Sequence, residues 1–449
     1  MLLFTLDFLE TYSLIIEASV IIILSFIFGE ISKRTNVPSV LMLILLGIGI
    51  KFGLDYYGIM EDENLLPILE VLGVVGLIMI VLEAALELKL ERDKYLAIGK
   101  ALLIALLGLV ASTWVAAEIL EYFVEGMSSS QAWLYATPLS ILSSAIIIPS
   151  VTGLKGDKKE FHIYESTFSD ILGIMLFYFL TSQLHGEVGE LGLDGQLADT
   201  AEHSNGALAY GGKVLLTVVV SLIASYGIVI VFQRIKSHVK LFLLIAVLLL
   251  LYGIGKKFHL SSLIIILVFG LMIANMKLFF RGPLRKWLNY KQALHIYEGL
   301  HVVTVETAFV VRTFFFVIFG LTIVLSSLAS WNVALVSLLI ILSIYLIRFV
   351  ILRVFIGTDI LPQLFVAPRG LITILLFYAI PAEVVVPGFE PGILLFVIIG
   401  TSLIMTVAMI VDKKRTGAAL RRAGQAPVGY EKWRAPTLAE TLVTEEAED

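Results

Sequence analysis

Asn36-Val-Pro-Ser-Val-Leu-Met-Leu-Ile-Leu-Leu-Gly-Ile-Gly-Ile50 has a counterpart far downstream, His259-Leu-Ser-Ser-Leu-Ile-Ile-Ile-Leu-Val-Phe-Gly-Leu-Met-Ile273, and pairing Gly47 with Gly270 aligns nearly every apolar position. Each copy lies in an apolar run close to the ~20 residues a helix needs to cross ~30 Å of hydrocarbon. Windows of about 19 residues place thirteen spans near 12–31, 38–54, 67–88, 98–123, 131–153, 163–183, 211–233, 238–255, 259–276, 297–325, 331–355, 361–381 and 391–412. The two copies are the second and ninth spans, seven crossings apart. An odd separation sets them in opposite orientations, so the repeat is inverted.

Composition agrees with a chain that is mostly membrane. Of 449 residues 59% are hydrophobic and 15% charged, with mean hydropathy +0.96, whereas soluble domains carry about 25% charged residues. No room is left for a sizeable soluble domain. The absence of cysteine excludes disulfides, thiolate metal sites and cysteine nucleophiles. Asp7 and Glu10 open the chain with no basic stretch before the first span, which argues against a cleavable leader.

Alternate connections differ in charge. One set holds Lys33 and Arg34; Lys89, Arg92, Lys94 and Lys100; Lys155, Lys158 and Lys159; Arg234, Lys236 and Lys240; Lys277, Arg281, Arg285, Lys286 and Lys291; and Lys413, Lys414 and Arg415. The other holds Asp55, Glu61, Asp62 and Glu63, then Glu187, Glu190, Asp194, Asp199 and Glu202, with Lys256 and Lys257 as exceptions. The bias predicts a plasma (inner) membrane protein with its N-terminus outside and C-terminus in the cytoplasm. Residues 1–412 form the transmembrane domain, 184–210 a mobile external connector, and 413–449 a loosely ordered cytoplasmic tail. No nucleotide-binding signature follows the membrane part, and neither a cofactor nor a nucleic-acid partner is expected.

The shift that relates the two copies also brings the fifth span onto the twelfth, the two least regular of all. The fifth contains Thr137-Pro138, Ser140, Ser143, Ser144, Pro149 and Ser150; the twelfth contains Pro362-Gln363, Pro368-Arg369-Gly370 and Pro381. Pro- and Gly-interrupted spans at matching positions of two halves point to a transporter's binding site.

The sixth span carries Glu165-Ser-Thr-Phe-Ser-Asp170 ahead of an unbroken apolar run. An Asp at bilayer depth costs ~3 kcal/mol and is a functional-site candidate by default. Its chemistry suits transport, because one carboxylate can hold a proton or a small cation but hardly both. In water a carboxylate is seldom protonated at neutral pH; in general, desolvation shifts carboxylates upward by ~3–5 units, enough to make that competition live. Ser169, Ser143, Ser144 and carbonyls freed by a broken fifth helix would supply oxygen ligands. Arg348 lies deep enough to need an anion, and Glu165 is the expected partner, which leaves Asp170 as the titrating carrier of the transported ion. Arg369 sits in the break of the twelfth span, where it either offsets a negative helix end or takes part in gating. Arg353 reads as a snorkelling residue. Glu306 and Arg312 are too far round one helix to pair, and Glu83 and Glu87 form a polar seam or an interface feature. His162, His295 and His301 read as solvated groups at span ends, with pH sensing as the alternative.

These motifs resemble the monovalent cation:proton antiporter superfamily, which includes the sodium/proton exchangers. The resemblance runs over about residues 12–412. It is carried by Val37-Pro38 with Gly47 and Gly49, Ser143-Ser144, Glu165-Ser166 with Ser169-Asp170, Phe314-Phe-Phe-Val-Ile-Phe-Gly320, Arg348 and Pro368-Arg369-Gly370. It implies an all-α membrane protein of about thirteen transmembrane helices with an inverted structural repeat and two crossed discontinuous helices. It further implies a homodimer, with a scaffold of helices from about 12–88 and 238–325 and a mobile core from about 98–183 and 331–412. A Glu165–Arg348 salt bridge would stand beside the ion-binding Asp170. Ser169 replaces the Asn or Asp that commonly precedes the aspartate, and a single central carboxylate favours electroneutral exchange. The fifth helix lacks Thr-Asp-Pro and is closer to potassium/proton relatives, so sodium and potassium both stay open as cargo.

Other classes fit less well. A sodium-coupled symporter of an organic solute shares inverted repeats and crossed broken helices, but it needs a polar substrate pocket that the residues between the breaks do not supply. An intramembrane serine protease needs a His or Lys at depth, and a zinc protease needs His-Glu-x-x-His, which is absent.

Overall fold

The computed structural model describes residues 2–35, 38–57, 66–90, 94–151, 154, 156–188, 206–235, 240–257, 262–279, 290–322 and 330–423. Bilayer hydrocarbon offers no partner to a backbone N–H or C=O, so apolar segments satisfy themselves as helices. The helices are α1 (Leu2–Thr35), α2 (Ser39–Tyr57), α3 (Leu66–Glu87), α4 (Tyr95–Phe123), α5 (Ser129–Ser140), α6 (Ser144–Ser150), α7 (Gly156–Val188) and α8 (Gly206–Arg234). They continue with α9 (Lys240–Lys257), α10 (Ser262–Ala274), α11 (Met276–Phe279), α12 (Tyr290–Thr322), α13 (Trp331–Phe355), α14 (Leu371–Tyr378) and α15 (Gly392–Ala423). No strand occurs among the described residues. Among the described residues, seven helical segments are long and apolar enough to cross a membrane, and four more are shorter apolar helices. Each of the thirteen expected spans overlaps a helix or a pair of helices. The third (α3) and the twelfth, of which only α14 is an α-helix, are not among those eleven.

Two groups of helices pack among themselves. In one, α2 and α3 both lie on α12, α3 packs on α10, and α10 packs on α8 and α9. In the other, α4 packs on α5, α7 and α13, α7 packs on α5 and α6, α13 on α15 and α14 on α5. The groups meet where α3 touches α7 and α14, and where α1 touches α6.

The inverted repeat is visible in these contacts. Gly320 of α12 meets the backbone of Ile44 and Gly47 of α2; in the other half, Gly270 of α10 meets Leu82 and Ala85 of α3. Spans two and ten thus touch as spans nine and three do, seven crossings on. A Cβ at Gly47 or Gly320 would run into main chain, so only glycine lets these two helices touch.

The fifth span is broken, though not at its prolines. Pro138 and Pro149 lie inside α5 and α6, and Ile141 to Ser143 form the extended link between the two helices. The break falls where amides find partners outside the helix. Leu142 N–H donates to Ser169 Oγ (3.0 Å), Ser143 N–H to the Pro368 carbonyl (3.0 Å) and Ser144 N–H to Asp170 Oδ2 (3.4 Å). The second of these bonds is the crossing point of the fifth and twelfth spans. The twelfth departs from its counterpart, because only its second half, α14, is an α-helix. Residues 360–370 are turns, a short 3-10 segment at Gln363–Phe365 and extended chain. Pro362 and Pro368 withhold the N–H groups a helix would need there.

The chain end also differs from expectation. α15 runs on to Ala423, so residues 413–423, expected as loose tail, are helical; their Ala, Lys, Arg and Leu are strong helix formers. The rest of the tail lies outside the described residues, as does most of the expected connector 184–210.

Candidate functional site

The sixth span is α7, which presents Ser169 and Asp170 to the break between α5 and α6. Asp170 is buried. Its Oδ2 accepts the Ser144 N–H, the Ser144 hydroxyl also faces it, and its Oδ1 has no hydrogen-bond partner. A buried acceptor left open is costly, and a bound proton or a bound cation would each relieve that cost. Asp170 lines a small cavity that is otherwise apolar, walled by Ile80, Val81 and Ala84 of α3, Leu263 and Leu267 of α10 and Ile372 of α14. It therefore sits at the junction of the two helix groups.

Glu165 lies more than one turn away along α7 and is fully paired. Arg348 of α13 binds it with both arms, Nη1 to Oε1 at 2.7 Å and Nη2 to Oε2 at 2.9 Å. Arg348 Nε donates to the Gln363 carbonyl at 3.0 Å. One guanidinium thus ties α7, α13 and the non-helical half of the twelfth span together, using the planar fork that lysine lacks. Arg369 is buried beside the crossing. Its Nε donates to the Leu139 carbonyl (2.8 Å), one of the carbonyls that the end of α5 leaves without a helical partner, and its backbone N–H donates to Thr401 Oγ1 (3.1 Å).

The serines divide in role. Ser169 Oγ accepts from Leu142 and fixes the break, Ser144 addresses Asp170, and Ser143 packs against Gly370, where a Cβ would collide with its side chain. A second cavity of about 30 Å³, bordered by Ser112, Ser140, Glu165, Ser169, Arg348 and Arg369, has room for roughly two waters. Among the described residues no cluster of three His, Asp or Glu could hold a metal ion.

Several charges sit differently from the sequence reading. Arg312 bonds Glu83 of α3 at 3.3 and 3.4 Å, a contact 229 positions apart that no local spacing reveals. Glu306 is exposed. His295 is exposed and His301 half-buried beside the Tyr297 ring. His162, read as solvated, is instead fully buried, with Nδ1 3.5 Å from Glu165 Oε2. Helix α7 begins at Gly156, earlier than the apolar run, and turns this residue inward. Its i,i+3 spacing from Glu165 was the available signal.

The transmembrane sodium/hydrogen exchanger family model matches residues 20–413. Among solved structures, the sodium proton antiporter MjNhaP1 from Methanocaldococcus jannaschii at pH 8 superposes with a TM-score of 0.66 at 19% identity, covering 91% of this chain and 98% of that one. An electron-microscopy structure of MjNhaP1 gives a TM-score of 0.58 at 18% identity, covering 92% and 99%. No curated protein sequence matches. The family model defines a multi-pass membrane transporter of the cation:proton antiport class, and the chain belongs to the sodium/hydrogen exchanger family. It is a transporter that exchanges a cation for protons, not an enzyme.

Proposed function

We propose that this protein exchanges a monovalent cation, sodium or potassium, for a proton one-for-one, with Asp170 carrying either ion in turn. The observation behind this is the buried Asp170 carboxylate at the helix break, with one oxygen open and, among the described residues, no second acid beside it. A single carboxylate that holds one proton or one monovalent cation moves the same charge in each direction, so the cycle is electroneutral. Ser144, with the neighbouring Ser169 and Ser143 hydroxyls and the carbonyls at the break, would supply oxygen ligands of the kind a hard cation takes. Glu165 is neutralised by Arg348 and stays out of the proton exchange, while Arg369 holds the end of α5.

Access alternates as α4–α7 and α13–α15, the core, move against a scaffold of α1–α3, α9, α10 and α12, carrying Asp170 along the aliphatic wall of α3 and α10. Two chains join through their scaffolds as a homodimer in the cell membrane. The N-terminus lies outside, and the start of α7 and the tail face the cytoplasm. Proton flux on addition of sodium, potassium or lithium to everted vesicles tests the reading. Wild type should respond to at least one of these, and Asp170→Asn to none. Unchanged cation-evoked flux in Asp170→Asn removes Asp170 as the carrier.

A further inference from the structure

The cavity of about 30 Å³ enclosed by α4, α5, α7, α13 and the twelfth span is separate from the one that Asp170 lines. Three charged side chains border it, Glu165, Arg348 and Arg369, two cations against one anion. Glu165 is taken up by both arms of Arg348, which leaves Arg369 as the unbalanced charge, 2% exposed. A guanidinium carries five N–H donors. Arg369 Nε serves the Leu139 carbonyl at 2.8 Å and Nη1 reaches the Ala367 carbonyl at 3.4 Å; the remaining donors have no partner among the described residues. Helix ends do not balance the charge either. The end of α5 brings about half a negative charge, and the start of α14, next to Arg369, brings about half a positive one. Three hydroxyls border the same space, those of Ser112 on α4, Ser140 on α5 and Ser169 on α7. Ser140 donates to the Ala136 carbonyl. Ser169 accepts the Leu142 N–H and keeps its own O–H to give, and Ser112 has no hydrogen bond among the described residues. The other walls are apolar, among them Ile104, Leu109, Leu142 and Ile344.

We propose that this cavity is a binding site for a small monovalent anion, a halide such as chloride, held by Arg369 and the Ser112 and Ser169 hydroxyls. Spare donors outnumber spare acceptors there, which is the donor set an anion takes. Water could accept the same hydrogen bonds but would leave a buried positive charge unanswered, and that is costly. Space for roughly two waters admits a single-atom anion and is too small for sulfate or an organic acid, while aliphatic walls suit a large, weakly hydrated ion. Ile104 and Leu352, both on the cavity wall, pack with Ile360 into an apolar cluster. The anion is therefore resident, not cargo. It ties α4 to α7 and to the twelfth span, beside the break that holds Asp170, and it needs nothing from the carrier role of that residue.

The test follows chloride on the purified full chain in detergent, with gluconate exchanged for chloride at constant sodium and ionic strength. Binding is read from the NMR line width of chloride. Wild type should give a saturable broadening that bromide reverses, and its Tm should rise by about 3 °C at a hundredfold excess of chloride over Kd. Ser112→Ala removes one neutral donor and should weaken chloride about fivefold. Arg369→Lys keeps the charge without the planar fork and should weaken it about tenfold or more. Gly108 borders the cavity, and a Cβ placed on it meets only Ile351 Cδ1, at 4.0 Å. Gly108→Leu therefore fills the space without touching a charge and should abolish the broadening; it serves if Arg369→Lys does not accumulate. Broadening that does not saturate in wild type, or wild-type affinity in any of the three variants, overturns the proposal and leaves the cavity to water. Neither result touches the antiport reading, which the flux comparison with Asp170→Asn decides by itself.

Discussion

Cutting one side of the Glu165–Arg348 pair should cost far more than removing both sides. Glu165 is 1% exposed and Arg348 8%, so either group left alone is a charge stranded in the interior beside only a small cavity, worth about 3–5 kcal/mol of stability. Arg348→Gln also forfeits the bond to the Gln363 carbonyl, a further ~0.5–1.5 kcal/mol. Glu165→Gln keeps that bond but leaves a guanidinium without its anion. The double variant Glu165→Gln/Arg348→Gln strands no charge and should lose little beyond the Gln363 bond. The cycle therefore carries a coupling of about 3 kcal/mol or more, well outside the ~0.3–0.5 kcal/mol of independent sites. Reversible unfolding in mixed micelles, followed by tryptophan fluorescence, measures all four proteins. Additive losses would refute the reasoning, since they would mean that solvent or another group already compensates each partner.

Other outcomes follow from the same geometry. Below the pH at which the proton dominates Asp170, the apparent KM for the cation should rise about tenfold per unit of acidification with maximal rate little changed, and a flat KM from pH 8 to 6 would contradict a single shared site; the slope is that of one-proton competition. Gly320→Ala should destabilise by ~1–3 kcal/mol, because its methyl meets the backbone of Ile44 and Gly47 and neither can yield. Gly253→Ala, in open space on α9, should be neutral or up to ~1 kcal/mol more stable, and equal thermal shifts for the two would count against the glycine crossing. Arg312→Gln should cost only about 1 kcal/mol, as its pair with Glu83 is partly exposed, and should leave cation-evoked flux near wild type.

What could be read in advance depended on how local its physics is. Span positions follow from apolar length alone, and the inverted repeat from the match around Gly47 and Gly270. Glu165 and Arg348 could be matched because each is too deep to stand alone and few opposite charges lie at similar depth. The site of the break was harder. Prolines drew attention to 138 and 149, yet the helix opens at Ile141–Ser143, where tertiary partners replace the helical ones, and such partners are invisible in a window of sequence. The same limit hid Arg312–Glu83. Span twelve shows the reverse, since Pro362 and Pro368 told against a helix, while symmetry with span five argued for one, and the prolines prevailed. His162 was misplaced because hydropathy marks where a span becomes apolar, not where its helix begins.

The glycine crossing of α2 and α12 has a mechanical consequence. With main chain resting on main chain and no side chain between them to bend, that joint behaves as a weld: a slip of one residue would drive a methyl or larger group into a peptide. The faces that Ile80, Val81, Ala84, Leu263 and Leu267 turn toward Asp170 are of another kind, aliphatic, without directional bonds to break and remake. A rigid frame beside a smooth aliphatic track suits the core movement proposed above, and the small residues decide which surface is which.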